Sequence, residues 1–108
     1  MPNIQPVYAV ATYEVTDRDA FMTNYAGPVH AGLSEIGAEI LSATGDPDVR
    51  EGDHQNNWSV LLKFPSAAAF DAYYGSDEYR ALKEARMATT VPDRSQFYVL
   101  PEFSLPAA

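Results

Sequence analysis

An α+β fold of strand–helix–strand–strand–helix–strand order is predicted by three observations. Two runs, Val7–Tyr13 (VYAVATY) and Trp58–Phe64 (WSVLLKF), are dense in β-branched and aromatic residues, which suits strands. After each run, apolar residues recur at helical spacing. Cap and turn residues (Asp17, Gly37, Pro65-Ser66, Gly75-Ser76, Pro92-Asp93) fall where these patterns change, marking element boundaries.

Val7–Tyr13 is apolar at both parities, so it reads as a strand covered on both faces. Thr16 or Asp17 then supplies a helix cap, with Asp19 in the first turn, where the helix dipole favours negative charge. Phe21, Tyr25, Val29, Leu33 and Ile36 form an amphipathic stripe. Gly27-Pro28 interrupts it, predicting a bent helix that ends at Gly37. Ala38–Thr44 reads as a second strand centred on Ile40 and Leu41, and Gly45-Asp46-Pro47-Asp48 as a turn. The polar stretch through Asn57 is a loop or ragged strand edge.

Trp58–Phe64 is the strongest strand of the chain. Pro65 stops it, and Ser66 caps a short helix, Ala67–Tyr74, that Gly75 ends. Ser76 caps the next helix, with Asp77 and Glu78 at its positive end and Lys83 and Arg86 toward its negative end; Glu84 alone opposes the dipole. Gln96–Leu100 makes the last strand. The order is the split β-α-β, or ferredoxin-like, arrangement: an antiparallel four-stranded sheet with both helices on one face. The two-faced apolar strands then call for a cover on the other face. A second copy of the chain is the simplest one, so a homodimer is expected.

The totals narrow the function classes. At 108 residues the chain fits one domain, residues 1–108. Seven basic against fifteen acidic side chains give a net charge of -8, which opposes binding to nucleic acid and to anionic membranes. There is no cysteine, so thiolate metal sites, disulfides and thiol nucleophiles are excluded. No signal peptide or membrane span is visible, and a cytoplasmic location is expected.

Arg86 is the most informative position. With Tyr79 and Leu82 it lies on the apolar stripe of its helix, at i, i+3 and i+7. A guanidinium there fits an internal ion pair, with Glu51 a candidate, a helix-end arginine serving the last carbonyls, or a ligand carboxylate or enolate oxygen. His30, near the Gly27-Pro28 break, is either a proton-transfer group or a surface histidine off the apolar stripe. Asp46, Asp48, Glu51, Asp53 and His54 hold metal-ligating atoms, but at spacings that match no metal motif; a solvated acidic loop is expected and no metal is assigned. Seven tyrosines and five phenylalanines are a heavy aromatic load. Core packing accounts for most of them, while Tyr25 is a catalytic candidate beside Arg86 and His30. Tyr8, Tyr74, Tyr79 and Trp58 are candidates to contact a substrate.

The second half of the chain carries a more specific signal. Glu51-Gly52, Val60-Leu61-Leu62-Lys63-Phe64-Pro65-Ser66, Tyr73-Tyr74-Gly75-Ser76-Asp77-Glu78-Tyr79, and Arg86 seven residues on together resemble the family known as domain of unknown function 1330. Asp17, Tyr25 and Gly37 also match its pattern. Ile36 replaces the first of a common Gly-Gly pair, Asp77 replaces the usual Pro, and the loop before Trp58 is long. The family is similar to the dimeric α+β barrels, which include cofactor-free monooxygenases, cyclases, isomerases, haem-degrading enzymes and ligand-binding regulators. The resemblance implies a pocket between sheet and helices. It also implies a cofactor-free enzyme acting on a small apolar or aromatic substrate, or else a domain that binds such a molecule or only dimerises.

Overall fold

The computed structural model describes residues 5–53 and 56–103. Four strands, β1 (Val7–Tyr13), β2 (Glu39–Thr44), β3 (Trp58–Phe64) and β4 (Gln96–Pro101), form one antiparallel sheet in the order β2-β3-β1-β4. This is the predicted ferredoxin-like topology. Helical segments α1 (Arg18–Phe21), α2 (Gly27–Glu35), α3 (Ala67–Tyr74) and α4 (Asp77–Thr89) complete it.

The pleat sorts β1 into two sets. Val7, Ala9, Ala11 and Tyr13 are buried beneath the helices, and Tyr8, Val10 and Thr12 lie on the opposite face. Ladder partners share a face, so Leu61 and Lys63 of β3 and Tyr98 and Leu100 of β4 join Val10 and Tyr8 there. Tyr98 and Leu100 are each 46% exposed. The sheet therefore presents an apolar strip that no other described residue covers.

The first helix departs from the expected kink. Phe21, Tyr25, Val29 and Leu33 are all buried, at uniform spacings of four. In an α-helix each such step overshoots a full turn by about 40°, so the stripe would spiral off the sheet. A π-helical turn, Met22–Ala26, joins α1 to α2 and winds more slowly, with Gly27 N–H donating to Met22 O. It returns the stripe to the core, and its wider turn absorbs the ring of Pro28 without a break. Phe21 and Leu33, essentially unexposed, each contribute about 1.5–3 kcal/mol by burial. At the helix end Gly37 takes φ +77°, and Ala38 N–H bonds back to Leu33 O at 3.0 Å, as a left-handed cap requires.

β2 begins at Glu39, one residue later than expected, and is exposed almost throughout. It is an edge strand, and a register shift between Ile40 and Ser42 leaves Leu41 as a bulge. The bulge keeps Ile40 opposite Leu62 and Ala43 opposite Val60, both on the helix-covered side.

Ser66 and Ser76 cap α3 and α4, accepting from Ala69 N–H at 3.0 Å and Tyr79 N–H at 3.1 Å. The far end of α4 is tied to the chain just past β1: Thr16 N–H donates to Thr89 O at 2.8 Å, and Val91 N–H to Glu14 O at 2.9 Å. These bonds seat the last turns of α4 over the end of β1. No helix among the described residues is long and apolar enough to cross a membrane.

Candidate functional site

Three elements bring one polar cluster into an otherwise apolar core. β1 ends on Tyr13, the π turn directs Tyr25 inward, and α4 carries Tyr79 and Arg86 two helical turns apart. Arg86 is 5% exposed. Its Nη1 donates to the Tyr79 hydroxyl at 2.9 Å and to the Tyr13 hydroxyl at 3.3 Å. The hydroxyls of Tyr25 and Tyr79 stand 2.7 Å apart, sharing a hydrogen bond. The guanidinium also lies against the rings of Tyr13, Phe97 and Tyr25, at 5.4, 5.6 and 5.7 Å from their centroids, within cation–π range.

No carboxylate pairs with Arg86 among the described residues. Glu51, the candidate ion-pair partner, is exposed on the β2–β3 loop. The internal ion pair is therefore replaced by three phenols and a cage of rings. A guanidinium has five N–H donors and each phenol one O–H, while only the phenol oxygens accept. The cluster holds more protons than acceptors.

Protonation reinforces this. Burial first, then the neighbouring Tyr25, raises the Tyr13 and Tyr79 hydroxyls well above an ordinary tyrosine, and Arg86 offsets this only in part. Both remain protonated donors at neutral pH rather than bases. Burial opposes the charge on Arg86, but the surrounding tyrosine oxygens outweigh it and hold the proton more firmly than usual. Tyr73, next in the ring cluster, is pushed up to about 12 by burial, Tyr25 and Glu78. A folded-state pKa raised above the unfolded value of about 10 gives stability that is complete below pH 10 and lost above it. Thermal stability is thus expected to be level from about pH 8 to 9.5 and to fall between about 10 and 12, read by melting curves. Tyr73→Phe, which removes a buried hydroxyl that has no partner among the described residues, should lessen that fall without loss at pH 8, while Tyr13 and Tyr79 keep the rest of it.

Beside the cluster lies an apolar cavity of about 70 Å³, between the helical layer and the sheet. Tyr13, Phe21, Tyr25, Trp58, Leu62 and Phe97 form much of its wall, and Ile40 and Ala43 of β2 close one side. Among the described residues no carboxylate, imidazole or amine lines it. Ile40 is 39% exposed, so this side is the mouth. Arg18 lies there, its guanidinium 5.5 Å from the Trp58 ring centroid. Gly45 admits it: a Cβ at that position would stand 3.2 Å from Arg18 Nη1.

The residues singled out from sequence divide clearly. Arg86, Tyr25 and Tyr79 meet in the cluster, and Trp58 lines the cavity with Tyr25. Tyr74 packs on Tyr79, ring centroids 5.2 Å apart, behind the cavity wall. Tyr8 lies on the uncovered face of the sheet, its hydroxyl donating to Glu102 Oε1 at 3.2 Å. His30 is exposed on α2 and is not among the side chains lining the cavity. His54 lies outside the described residues, and no group of three metal-ligating side chains comes together among the described ones. Tyr13, Phe21 and Phe97 were not singled out. The parity of β1 was the available signal for Tyr13, since it falls in the same set as Ala9 and Ala11.

Fold and site together define a ferredoxin-like α+β protein with an aromatic, donor-rich core. Residues 6–97 match the family described as domain of unknown function (DUF1330), and the chain belongs to that family. No curated protein is significantly similar in sequence. A protein of unknown function from Rhodopseudomonas palustris shares the fold at 15% identity and TM-score 0.76, over 95% of this chain and 86% of that one. A dimeric ferredoxin-like protein of unknown function from Jannaschia sp. CCS1 does so at 17% identity and TM-score 0.74, over 88% and 97%. A Caulobacter crescentus CB15 protein, provisionally described as an antibiotic biosynthesis monooxygenase, does so at 18% identity and TM-score 0.70, over 94% and 92%.

Proposed function

We propose that this chain binds a small apolar or aromatic molecule carrying an anionic or acidic oxygen, and that it holds that oxygen with the hydroxyls that Arg86 polarises. One observation carries the reading: a buried cluster of one guanidinium and three phenols that lacks acceptors, beside an apolar cavity. Arg86 donates to Tyr79, and either hydroxyl of the Tyr79–Tyr25 pair can donate to the other; in the arrangement where Tyr79 donates, the proton of Tyr25 is left for a ligand in the cavity it lines. Donor chains of this kind strengthen each bond along them.

The chemistry such a site serves is stabilisation of negative charge on oxygen. Enolisation, ring closure and oxygen addition to a phenolate all develop that charge. Among the described residues no base lines the cavity wall, and His30 is not on it, so the ligand gives its proton to water and binds as the anion. The same feature supports the second reading, binding without turnover. The cavity is smaller than the ~150 Å³ that admits benzene, so a ring enters only as Ile40 and Trp58 give way at the mouth.

Trp58 is the single tryptophan, and its fluorescence reports the cavity. Phenol is expected to change it saturably and to bind more tightly than toluene. Tyr25→Phe should remove about three- to tenfold of that preference, the worth of one neutral hydrogen bond. Equal binding of phenol and toluene, or no response from Trp58, overturns the reading.

The working form in this reading is a homodimer, with a second copy covering the strip of Val10, Leu61, Tyr98 and Leu100. The exposure of Tyr98 and Leu100 and the dimeric description of the Jannaschia protein support it. Tyr98→Glu is expected to yield a folded monomer by light scattering and circular dichroism. A monomeric unmodified chain at micromolar concentration would sink the dimer.

A further inference from the structure

Arg18 is the first residue of α1 and is exposed. A helix start carries positive partial charge, so a cation there works against the dipole, while Asp19 beside it works with it. The charge on Arg18 is also uncompensated. Arg50, Arg80 and Arg94 pair with Asp48, Asp77 and Glu14, and Arg86 bonds to phenols. Arg18 pairs with no carboxylate among the described residues, although Asp17 and Asp19 flank it. Asp17 is engaged at the helix cap instead, accepting from Ala20 N–H at 3.1 Å. What meets the guanidinium is the Trp58 ring, 5.5 Å from its centre. A ring face attracts the charge but supplies no carboxylate oxygen to the five N–H donors. Both terminal nitrogens also lie against Gly45, where an added Cβ would stand 3.2 and 3.3 Å from them. Trp58 belongs to the wall of the apolar cavity, as does Ala43, two residues before Gly45; Arg18 itself does not. It stands just outside the mouth.

We infer that Arg18 is a carboxylate anchor at this mouth, and that the ligand is a hydroxyaryl carboxylic acid. The inference rests on the binding proposed for the cavity and names the ligand class. The aromatic ring and its phenolic oxygen enter toward Tyr25, and the carboxylate, on a short arm, stays outside against Arg18. An arm is needed because Phe21 and Trp58 stand between the two anchors. The Tyr25 and Phe21 ring centroids are 5.3 Å apart, and those of Phe21 and Trp58 a further 6.3 Å, so a single ring cannot meet both ends. The planar guanidinium offers paired donors that match a carboxylate. A net charge of -8 makes most of the surface unfavourable to anions; an unpaired cation beside the mouth gives the carboxylate one place to sit.

The test is calorimetric titration of the full chain at neutral pH with para-hydroxyphenylpropionate, its amide and phenol. The acid should bind about two- to fivefold more tightly than the amide, the worth of an exposed ion pair, and added sodium chloride should narrow that gap. Arg18→Gln should abolish the gap, Arg18→Lys should keep part of it, and both should leave phenol binding unchanged. Arg80→Gln, which removes an equal charge at the start of α4, should leave the gap as it is. Equal binding of acid and amide to the unmodified chain overturns the inference, as does a gap that survives Arg18→Gln or is lost in Arg80→Gln. Arg18→Gln that weakens phenol as much as the acid also overturns it, because Arg18 then only steadies Trp58. Failure of phenol to bind the unmodified chain ends the cavity reading and this inference with it; phenol binding without an acid preference ends this inference alone.

Discussion

Arg86→Met is expected to leave the protein folded while weakening phenol in the cavity by no more than the roughly three- to tenfold that Tyr25→Phe removes. Removing one member of a buried ion pair costs about 3–5 kcal/mol, because the surviving charge is stranded. Here nothing is stranded, for Arg86 is surrounded by neutral phenols and rings. The loss of charge-assisted hydrogen bonds to Tyr13 and Tyr79, about 1.5–3 kcal/mol each, is opposed by relief of several kcal/mol of desolvation. Methionine fills the space left by the stem. The balance should lie within about 1 kcal/mol of the unmodified chain, a melting shift of no more than about 4–8 °C. Phenol bonds to the neutral Tyr25 hydroxyl, worth about 0.5–1.5 kcal/mol, and Arg86 acts on that bond only through Tyr79, which sets the stated ceiling. Unfolding of the variant at room temperature would show that a carboxylate depends on Arg86, contrary to the bonding described.

Phe21→Ala should produce the largest loss of stability and, with it, a new binding capacity. The ring is fully buried and touches three others, with centroids 5.3 Å from Tyr25, 5.9 Å from Tyr13 and 6.3 Å from Trp58. Truncation at such a site costs about 3–5 kcal/mol, out of a total of about 5–15 kcal/mol for a domain. Phe21 also lines the apolar cavity, so the vacated volume adds to it. The melting temperature should fall by roughly 12–20 °C or more, and toluene, which the unmodified chain takes up poorly, should recover part of that loss. Destabilisation without rescue by toluene would mean that the core collapses into the gap.

Much of this architecture was legible in the residues. The density of β-branched and aromatic residues in β1 and β3 gave the central strands, and Ser66, Gly75 and Ser76 gave the helix boundaries to within a residue. Arg86 and Tyr79 were legible as a pair because a spacing of seven places both on one helix face. The π turn was not, since Gly27-Pro28 reads as a kink on local rules. The uniform spacing of four from Phe21 to Leu33 held the information that the helix must wind more slowly. Tyr8 was misassigned to the site because an aromatic on a two-faced strand gives no sign of its side until its parity is tied to Ala9 and Ala11. The missing carboxylate of Arg86 was out of reach for another reason: which side chains surround a buried charge is decided by distant elements, Tyr13 standing 73 residues away in the chain.

The sheet order has a consequence for how the chain folds. β1 lies in the middle and needs both β3 and β4, and its ladder with β4 pairs Val7 with Pro101. The first strand made on the ribosome therefore waits for the last. Until synthesis has run from β1 through β4, an apolar seven-residue segment has one edge open, and local helix formation cannot shield it. Closing so long a loop places this fold among the slower small folders. The interval between translation of β1 and arrival of β4 is when the nascent chain is most open to mispairing, and a chaperone that holds extended apolar segments would act there.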